Sequence, residues 1–558
     1  MQTVSSNFVT NETSATQTVD YGILISWTEQ INSSYEFFTI GTSIIGGPDV
    51  IKGGGSEVTF LDRYQYSDYT EYGLSIDIKN SIGQYPYGTI MRQAEVKLDN
   101  TQLTFMPGHD PTIGAYILPN RPVKLSTGLS GEMITMFAGY STAPINQVSE
   151  RETKLTCYDG MGYLNMTVST GSGPLAQQNN GVYVNAYAQD IIADLLTEAG
   201  FASTDYVLEQ SLQQPIGYLS PINFETGTNV NGNIGSIGYI ISALCEAEMG
   251  IFFFDENGTA HFWNRQHIVD NKTVQWSFDY SESLGGNNTG IISYNIENTE
   301  VINNVQVQAN PRTVVANQQV WQLAQPVSIP ANGTAVISAD FSDNSGSLPV
   351  TTLDTPILYN PSNAVSSSFE CNLNSDGSAT QNVGSSLSCT SVVLSGSNAK
   401  LTFTNTYQLP IWVTAMVLYG TPAKVLQTIN QTYTNPSSIA LYGINPANNG
   451  EPLQIQNNLI QDPLTANSIA YQLVNDYSTP LQRMSLEVMA APQLQFGDYI
   501  TVLLNDINQT LNYTIVGIEF SQTRQDPFKQ VIEAEVKQMI TYFTIGTSVV
   551  GGTDQIAP

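Results

Sequence analysis

The sequence predicts a mainly β protein made of two β-barrels, a small α+β module and an inserted β-sandwich. Three observations lead to this prediction. The chain has 558 residues, more than a single hydrophobic core usually serves. Charged residues make up only 12% of it, and Asn, Ser, Thr, Gln, Tyr and Gly are abundant in their place. Apolar and polar residues alternate along most of the chain, whereas helical spacing occurs in three stretches.

The first third of the chain predicts an arm followed by a barrel. Residues 1–35 are polar without a lasting period, so we expect an N-terminal arm there. Residues 57–165 should form the first barrel, since alternating apolar residues share one face in Ala94–Asn100. Further strands are expected within Arg121–Thr127, Ile134–Tyr140 and Glu152–Leu164.

The hydrophobic period changes in residues 166–270, which predicts a small α+β module. Asn185–Phe201 has apolar residues three and four apart, with Gly200 as the C-terminal stop of a helix. Gly235–Gly250 predicts a second helix of the same kind. Ile251–Trp263 follows as two apolar runs around an Asn-Gly turn, which predicts a β-hairpin.

The rest of the chain returns to alternation. Residues 311–430 have the regular strand and turn spacing of a β-sandwich. Residues 271–310 and 431–542 should form the two parts of the second barrel, so that the sandwich is an insertion between them. A third helix is expected behind Asp462 as N-cap and Pro463 at the first helical position.

We find no residue pattern that predicts catalysis, a cofactor or a metal. His261 and His267 lack the spacing of a zinc protease, and no nucleophile elbow or phosphate loop is present. Phe254–Phe262 contains carboxylates but not the regular spacing of a calcium loop, so a plain hairpin is expected. Cys371 and Cys389 flank a Gly- and Ser-rich stretch and could pair, or remain two buried thiols. A structural, non-enzymatic role is therefore favoured.

The charge and the N-terminal region restrict the partners. The net charge is −30, mainly because Lys and Arg together number only 18. A chain this acidic repels nucleic acid, so DNA that meets it should pass without binding. The sequence has neither a signal peptide nor a long apolar span, so we expect a protein made in the cytoplasm.

Several motifs, taken in order, resemble those of phage tail-hub proteins, which are also called baseplate hub or minor tail proteins. In the first barrel of that family, short strand motifs recur in a fixed order. They correspond here to Leu98–Asn100, Pro119–Val123, Gly139–Tyr140 and Thr156–Met161. The second barrel of the family has a P-x-L-x-x-G-D signature, matched by Pro492, Leu494, Gly497 and Asp498. In architecture the resemblance extends to the hubs of contractile phages and to the spike base of type VI secretion.

The resemblance implies a homotrimer of chains with two hub-type barrels each, in the virion at the tip of a viral tail. Three chains would give a pseudo-sixfold ring. Its expected partners are a hexameric tail tube or distal tail ring, the tape-measure protein and a threefold tail fibre or spike. The ring would line the channel through which DNA is ejected, and it would reach the host envelope only indirectly.

A repeated segment occurs near both ends of the chain, in residues 36–56 and 543–558. Phe38–Ile51 and Phe543–Ile556 share ten of fourteen residues. One interpretation is that both are edge strands of duplicated barrels. We favour a second, in which each is a docking segment that adds to a neighbouring sheet by strand pairing. The candidate docking residues are Phe38, Ile40, Ile44, Ile45, Phe543, Ile545, Val549 and Val550.

An alternative function class is a β-domain surface adhesin, or a tail protein that binds a receptor or glycan. Trp321 and Trp412 in the predicted sandwich could stack on a sugar, or could simply belong to the core.

Overall fold

A computed structural model describes most of the chain and has a mainly β fold, as the sequence predicts. The described residues are 1–6, 8, 19–28, 61, 63–81, 88–129, 131–179, 181–221, 236–270, 273–280, 291–343, 346–347, 350–359, 366–393, 398–488, 491–504, 509–524 and 529–536. The two copies of the repeated segment lie outside these ranges.

The first barrel consists of strands that pair antiparallel in the order β3-β5-β9-β7-β6-β1. The elements in this part of the chain are β1 (Val19–Ile25), β2 (Ser67–Asp68), a 3₁₀ turn (Thr70–Tyr72), β3 (Gly73–Ser81), β4 (Gly88–Thr89), β5 (Arg92–Asp99), a second 3₁₀ turn (Gly114–Tyr116), β6 (Pro122–Leu129), β7 (Glu132–Ser141), β8 (Ile145–Gln147) and β9 (Glu152–Tyr158). Of these, β4 pairs with Ile251 and Phe252 of the α+β module and not with the barrel. Strand β1 pairs with β2, immediately before β3, and the Tyr21 hydroxyl donates to the Gly73 carbonyl at 3.1 Å. These contacts bring the two ends of the strand order together.

Strand β1 lies in the segment that the sequence predicts to be an arm. It pairs with β6 over its whole length, and Ile23 and Ile25 are fully buried in the barrel core. Trp27, two residues further on, is also buried and contacts the ring of Phe105. The alternation of Ile23, Ile25 and Trp27 is short and bordered by polar residues, which is why the sequence did not predict this strand.

The α+β module contains the predicted helices and hairpin. Its elements are α1 (Gly160–Met166), α2 (Pro174–Gln177), β10 (Tyr183–Ala186), α3 (Ala188–Glu198), β11 (Tyr206–Leu208), β12 (Ile216–Leu219), α4 (Ile237–Glu248), β13 (Ile251–Phe254), β14 (Ala260–Trp263) and α5 (Arg265–Asp270). Gly200, which follows α3, has a φ of +95°, the left-handed conformation typical of a helix stop. Strands β13 and β14 pair as the expected antiparallel hairpin.

Helix α1 is a difference from the sequence prediction, which extends the preceding strand to Leu164. Strand β9 ends at Tyr158 because the Asp159 carboxylate accepts hydrogen bonds from the N–H groups of Met161 and Gly162, at 3.0 and 3.4 Å. Asp159 is therefore the N-cap of a helix. Two glycines in its first turn weaken the helical pattern in the sequence.

The second barrel has six strands in the order β15-β33-β34-β35-β32-β16 and a hydrophobic core of its own. The strands are β15 (Trp276–Tyr280), β16 (Ile291–Asn298), β32 (Gln482–Val488), β33 (Tyr499–Leu504), β34 (Gln509–Thr523) and β35 (Lys529–Glu535). The β15–β33 pair is parallel, and the other described pairs of this barrel are antiparallel. Residues 299–481, between β16 and β32, form other parts of the molecule.

Strand β34 belongs to both barrels. Its first residues pair with β33, and its last residues pair with β3 of the first barrel, from Ser75 opposite Thr523 to Ser81 opposite Gly517. Tyr513 is fully buried in the core of the second barrel, whereas Phe520 is buried in the core of the first. The strands of the two barrels therefore form one continuous hydrogen-bonded sheet.

Part of the region that the sequence assigns to the second barrel packs with the module instead. Its elements are β17 (Asn304–Ala309), β30 (Ile429–Thr434), α6 (Pro436–Tyr442), a 3₁₀ turn (Pro446–Asn448), β31 (Leu453–Gln456) and α7 (Pro463–Tyr477). Helix α7 has the predicted cap, since the Asp462 carboxylate accepts from the Thr465 N–H at 2.8 Å. Val305 and Val307 share one core with Ile192 of α3. Alternation identifies β17 as a strand but does not say which sheet it joins.

In its described residues, the inserted sandwich has a seven-stranded and a three-stranded sheet that share a hydrophobic core, and a separate two-stranded sheet. Its elements are β18 (Arg312–Val314), β19 (Gln318–Gln322), β20 (Val327–Ile329), β21 (Thr334–Asp340), β22 (Ser342–Asp343), β23 (Gly346–Ser347), β24 (Val350–Leu353), β25 (Ile357–Leu358), β26 (Ser368–Asn372), a 3₁₀ turn (Gly384–Ser386), β27 (Leu387–Val393), β28 (Asn398–Asn405) and β29 (Ile411–Val425). Cys371 and Cys389 lie on different strands as free, half-buried thiols.

The shared strand predicts that the two barrels unfold together. Phe520→Ala leaves a cavity in the first barrel and should lower the free energy of unfolding by about 3–5 kcal/mol. Amide hydrogen exchange should show lost protection in the strands of both barrels. Phe403→Ala, at an equally buried site in the sandwich, should reduce protection in the sandwich alone. Loss of protection confined to one barrel in the Phe520 variant would contradict the coupling.

Candidate functional site: the junction of the barrels and the module

The two barrels and the module meet around a cavity of about 290 Å³. Strand β5 of the first barrel, the β13–β14 hairpin and α5 of the module, and the loop before β33 in the second barrel all contribute side chains. The lining residues are Met1, Arg92, Phe253, Asp255, Glu256, His261, Trp263, His267, Gln275, Gln495, Phe496, Gly497 and Asp498.

A buried ion pair at this cavity connects all three parts. The Arg92 guanidinium of the first barrel donates to Oε1 of Glu256 in the hairpin turn, and both side chains are only 5% exposed. The other carboxylate oxygen of Glu256 accepts from the side-chain amide of Gln495, in the loop of the second barrel. Because a buried carboxylate needs partners on both oxygens, this arrangement fixes the relative positions of the three parts.

Asp159 lies behind the ion pair. Its second carboxylate oxygen accepts from the Arg92 backbone N–H at 2.8 Å, while its first caps α1. Burial raises the pKa of Asp159 to about 7 although these hydrogen bonds and the Arg92 charge act against the shift. The start of β5 and the start of α1 are thus held by one carboxyl group.

Aromatic rings form one wall of the cavity. The His267 ring stacks on Trp263 with centroids 4.1 Å apart, and Trp263 stacks on Phe496 of the second barrel at 5.7 Å. His261 stacks on Phe253 at 5.2 Å. His267 Nδ1 also lies 2.5 Å from a Glu209 carboxylate oxygen. Both histidines are therefore packing residues of the junction.

Gly497 is required by the contact with Trp263. Its φ is +82°, and a Cβ atom at this position would lie 2.5 Å from the indole ring. The neighbouring Asp498 accepts from the Gln495 N–H at 2.7 Å, which closes the turn. Burial raises the pKa of Asp498 above its usual range. The Gly-Asp pair of the P-x-L-x-x-G-D signature thus shapes the loop that meets the module.

The hairpin turn beside the cavity is held by its own hydrogen bonds. Asp255 Oδ1 accepts from the N–H groups of Asn257 and Thr259, at 2.9 and 2.8 Å, as in an ordinary hairpin turn. In the described part of the chain, no three His, Cys, Asp or Glu side chains are arranged to hold a metal ion. No helix among the same residues is long and apolar enough to cross a membrane.

The eight docking residues predicted from the sequence all lie outside the described ranges, so that assignment stays a prediction. The junction residues were not predicted as a site. Arg92 and Glu256 are 164 positions apart, and nothing in a single sequence indicates that they meet. The P-x-L-x-x-G-D signature was the one sequence feature that indicated part of this site, namely the loop before β33.

The two sandwich tryptophans are half-buried. Trp321 packs against the sandwich core, and Trp412 lies on β29. The contact of Trp321 agrees with the core interpretation for that residue.

The Gly497 contact can be tested with a matched pair of substitutions. Gly497→Ala and Gly131→Ala place a side chain at a φ of +82° and +89°, but nothing lies within 4 Å of a Cβ atom at Gly131. We expect Gly497→Ala to lower the free energy of unfolding by about 1–3 kcal/mol more than Gly131→Ala, because the indole must move. Denaturant titration measures the difference. Equal losses would show that Trp263 does not restrict this position.

Asp159 predicts a pH dependence of stability. Its pKa is raised in the folded protein, so folding takes up a proton between the unfolded pKa near 4 and about 7. The contribution of Asp159 to the free energy of unfolding is therefore fully present below this pH window. It is lost as the pH rises through the window, by up to about 1.4 kcal/mol per pH unit. Asp159→Asn cannot titrate, so the difference in unfolding free energy between variant and natural protein should change across pH 4–7. Parallel curves would contradict the assignment.

Comparisons with known proteins give structural likenesses only. No protein-family model and no curated protein matches the sequence. Among solved structures, the 43 kDa tail protein of prophage MuSo2 from Shewanella oneidensis is similar with 10% identity, over 84% of this chain and 95% of that one, at a TM-score of 0.41. A tail protein from Neisseria meningitidis MC58 has 11% identity, 85% and 93% coverage, and a TM-score of 0.40.

A third similar structure is the E. coli c3393 protein, described as a type VI secretion component with structural similarity to the T4 bacteriophage tail proteins gp27 and gp5. Its identity is 9%, its TM-score 0.35, and the match covers 83% of this chain and 73% of that one. At such low identity and TM-score, the likeness does not extend to function. The chain is thus similar to phage tail proteins and to a type VI secretion component, the class that the motifs in its sequence resemble.

Proposed function

We propose that the chain is a structural protein of a virus tail, a trimeric hub at the distal end that joins a sixfold tail tube to a threefold tip. The observation that supports this most directly is the fusion of two six-stranded barrels through β34. Each chain then provides two barrels at a fixed spacing. Three chains provide six barrels, which can face a hexameric ring on one side and a threefold fibre or spike on the other.

The charge of the chain suits the wall of a DNA channel. It carries 48 acidic residues against 18 Lys and Arg residues. Binding to DNA depends on cations that neutralise phosphates, so an acidic wall lets the duplex pass without retaining it. We propose that the lumen of the trimer carries the DNA during ejection, that the tape-measure protein lies above it, and that contact with the host envelope is made through the tip partner.

The repeated segments are the proposed contacts with the ring above. Each would add a short strand to a neighbouring sheet, with Ile44 and Ile45, or Val549 and Val550, in a pocket. Two segments on each of three chains give six equivalent contacts, the number that a hexameric ring offers. No enzymatic step is needed for this role.

The trimer can be tested directly. Light scattering of the purified chain at micromolar concentration should give about 182 kDa, three times the chain mass of 60.7 kDa. Phe520→Ala serves as a control, because a damaged barrel should weaken assembly as well as folding. A natural protein that stays monomeric at virion-like concentration would contradict the proposal.

The docking role of the C-terminal segment predicts a truncation phenotype. Removing residues 543–558 should abolish attachment to the tail ring while leaving the trimer folded, because only the added strand is lost. Removing residues 551–558 keeps Phe543, Ile545, Val549 and Val550 and should leave attachment intact. Tail assembly in a complementation assay, with light scattering of each variant, measures both effects. Normal tails from the longer truncation would exclude the docking role.

A further inference from the structure

Strand β31 of the module has one open edge. It pairs in parallel with β17, from Leu453 opposite Val305 to Gln456 opposite Gln308. Among the described residues, no strand pairs with its other edge. The N–H and C=O groups along such an edge can be satisfied by the backbone of an added strand.

A groove lies beside β31, with the last turn of α4 as its opposite wall. The cavity between them measures about 280 Å³ and includes all four residues of the strand. Asn457, which follows β31, donates to the Ala243 carbonyl at 2.8 Å and to a Glu246 carboxylate oxygen at 3.3 Å. These bonds fix the distance between the strand and the helix, so the groove is preformed.

The floor of the groove is apolar, and among the described residues that line it one carboxylate is the only charged group. Met249, Ile469 and Leu473 contribute buried apolar side chains, and Leu453 and Ile455 of β31 are half-buried above the same core. The charged group is Glu246 at the end of α4. An occupant with apolar side chains at alternate positions and a cation opposite Glu246 would match this lining.

Exposed apolar side chains precede β31, at the end of α6 and in the loop that follows it. The helix exposes Leu441 and Tyr442, the loop exposes Ile444, and 76% of Leu441 is accessible. Asn445 holds this loop in place by donating to the Asn304 carbonyl at 2.7 Å and to the Glu451 carbonyl at 2.8 Å. The backbone N–H groups of Asn303 and Asn304 donate back to its side-chain oxygen, at 2.8 and 3.0 Å.

This network matters because exposed apolar side chains on a mobile loop would lose entropy on binding. Asn303 and Asn445 are both buried. The Asn303 side chain accepts from the Asn445 N–H at 2.9 Å and donates to the Gly443 carbonyl at 2.8 Å, so each of the two residues holds the backbone of the other segment. The bonds thus fix the end of α6 and the loop after it relative to the starts of β17 and β31. A preorganised apolar surface of this kind is typical of a binding site.

We propose that the groove between β31 and α4 binds an extended segment of the threefold tip or fibre protein. The segment would pair with the open edge of β31, place every second side chain on the apolar floor and set a Lys or Arg against Glu246. The inference rests on the proposed function, because one groove on each of three chains matches a threefold partner.

The number of copies per chain distinguishes this groove from the docking segments. Each chain has two copies of the repeated segment but only one described groove of this type. Two donated strands per chain suit a sixfold ring, and one accepted strand per chain suits a threefold tip. An open β edge is satisfied best by another backbone, which favours a peptide segment over a glycan as the occupant.

A photo-cross-linking experiment on purified tails tests the occupant. Benzoyl-phenylalanine replaces Gln454, an exposed residue of β31. The control position is Val336, 57% exposed on β21, which is also an edge strand but does not line this groove. We expect a cross-link from position 454 alone, mapped by mass spectrometry to one segment of another tail protein that has alternating apolar residues and a Lys or Arg.

Cross-links from position 454 to residues 537–558 of this chain, or none above the level at Val336, would overturn the inference. A monomeric chain, or one absent from tails, would overturn the proposed function and this inference with it. A trimeric hub present in tails with an empty groove would overturn this inference alone.

A pair of charge reversals gives an independent readout. Glu246→Lys should lower the amount of tip protein per hub in purified tails by about tenfold or more, because like charges across an interface oppose binding. Glu370→Lys reverses an exposed charge on β26, far along the chain from the groove, and should leave the amount unchanged. Trimer mass and ring attachment should be normal in both. Equal amounts of tip protein in the two variants would contradict the role of Glu246.

Discussion

The pairing of β34 with both barrels is the constraint on which the rest of the structure depends. A strand of 15 residues is long enough to pair with β33 at its start and with β3 at its end. Tyr513 and Phe520 place its side chains in two separate cores. Neither barrel can rotate against the other without breaking backbone hydrogen bonds, so the pair behaves as one rigid body.

Once the barrels are fixed, the module is held by a few long-range contacts. The Arg92–Glu256–Gln495 bridge connects three parts of the chain through a single carboxylate. The contact of Gly497 with Trp263 adds a steric requirement at the same place. Because these groups are buried, each depends on its partners, and the junction fixes the module against both barrels.

The sequence predicted individual helices and hairpins, but it did not predict which elements pair or pack together. Helix α7 was predicted from its Asp462 cap and its apolar stripe, and the β13–β14 hairpin from its Asn-Gly turn, since these signals are local. The placement of β17 and β31 in the module was not predicted, because alternation is the same in any sheet with one buried face. The ion pair between Arg92 and Glu256 joins residues too distant for any pattern to connect.

The fold and the proposed trimer together predict how many barrels the assembled hub contains, and this number can be observed directly. If β34 makes each chain a rigid pair of barrels, a closed trimer must contain six barrels in one ring. Electron cryomicroscopy of the hub, averaged with threefold symmetry, measures this arrangement. The account predicts six barrels at nearly equal angles around a channel, alternate neighbours being joined by the β3–β34 pairing. A ring with three barrels, or one in which β3 and β34 are separated, would contradict it.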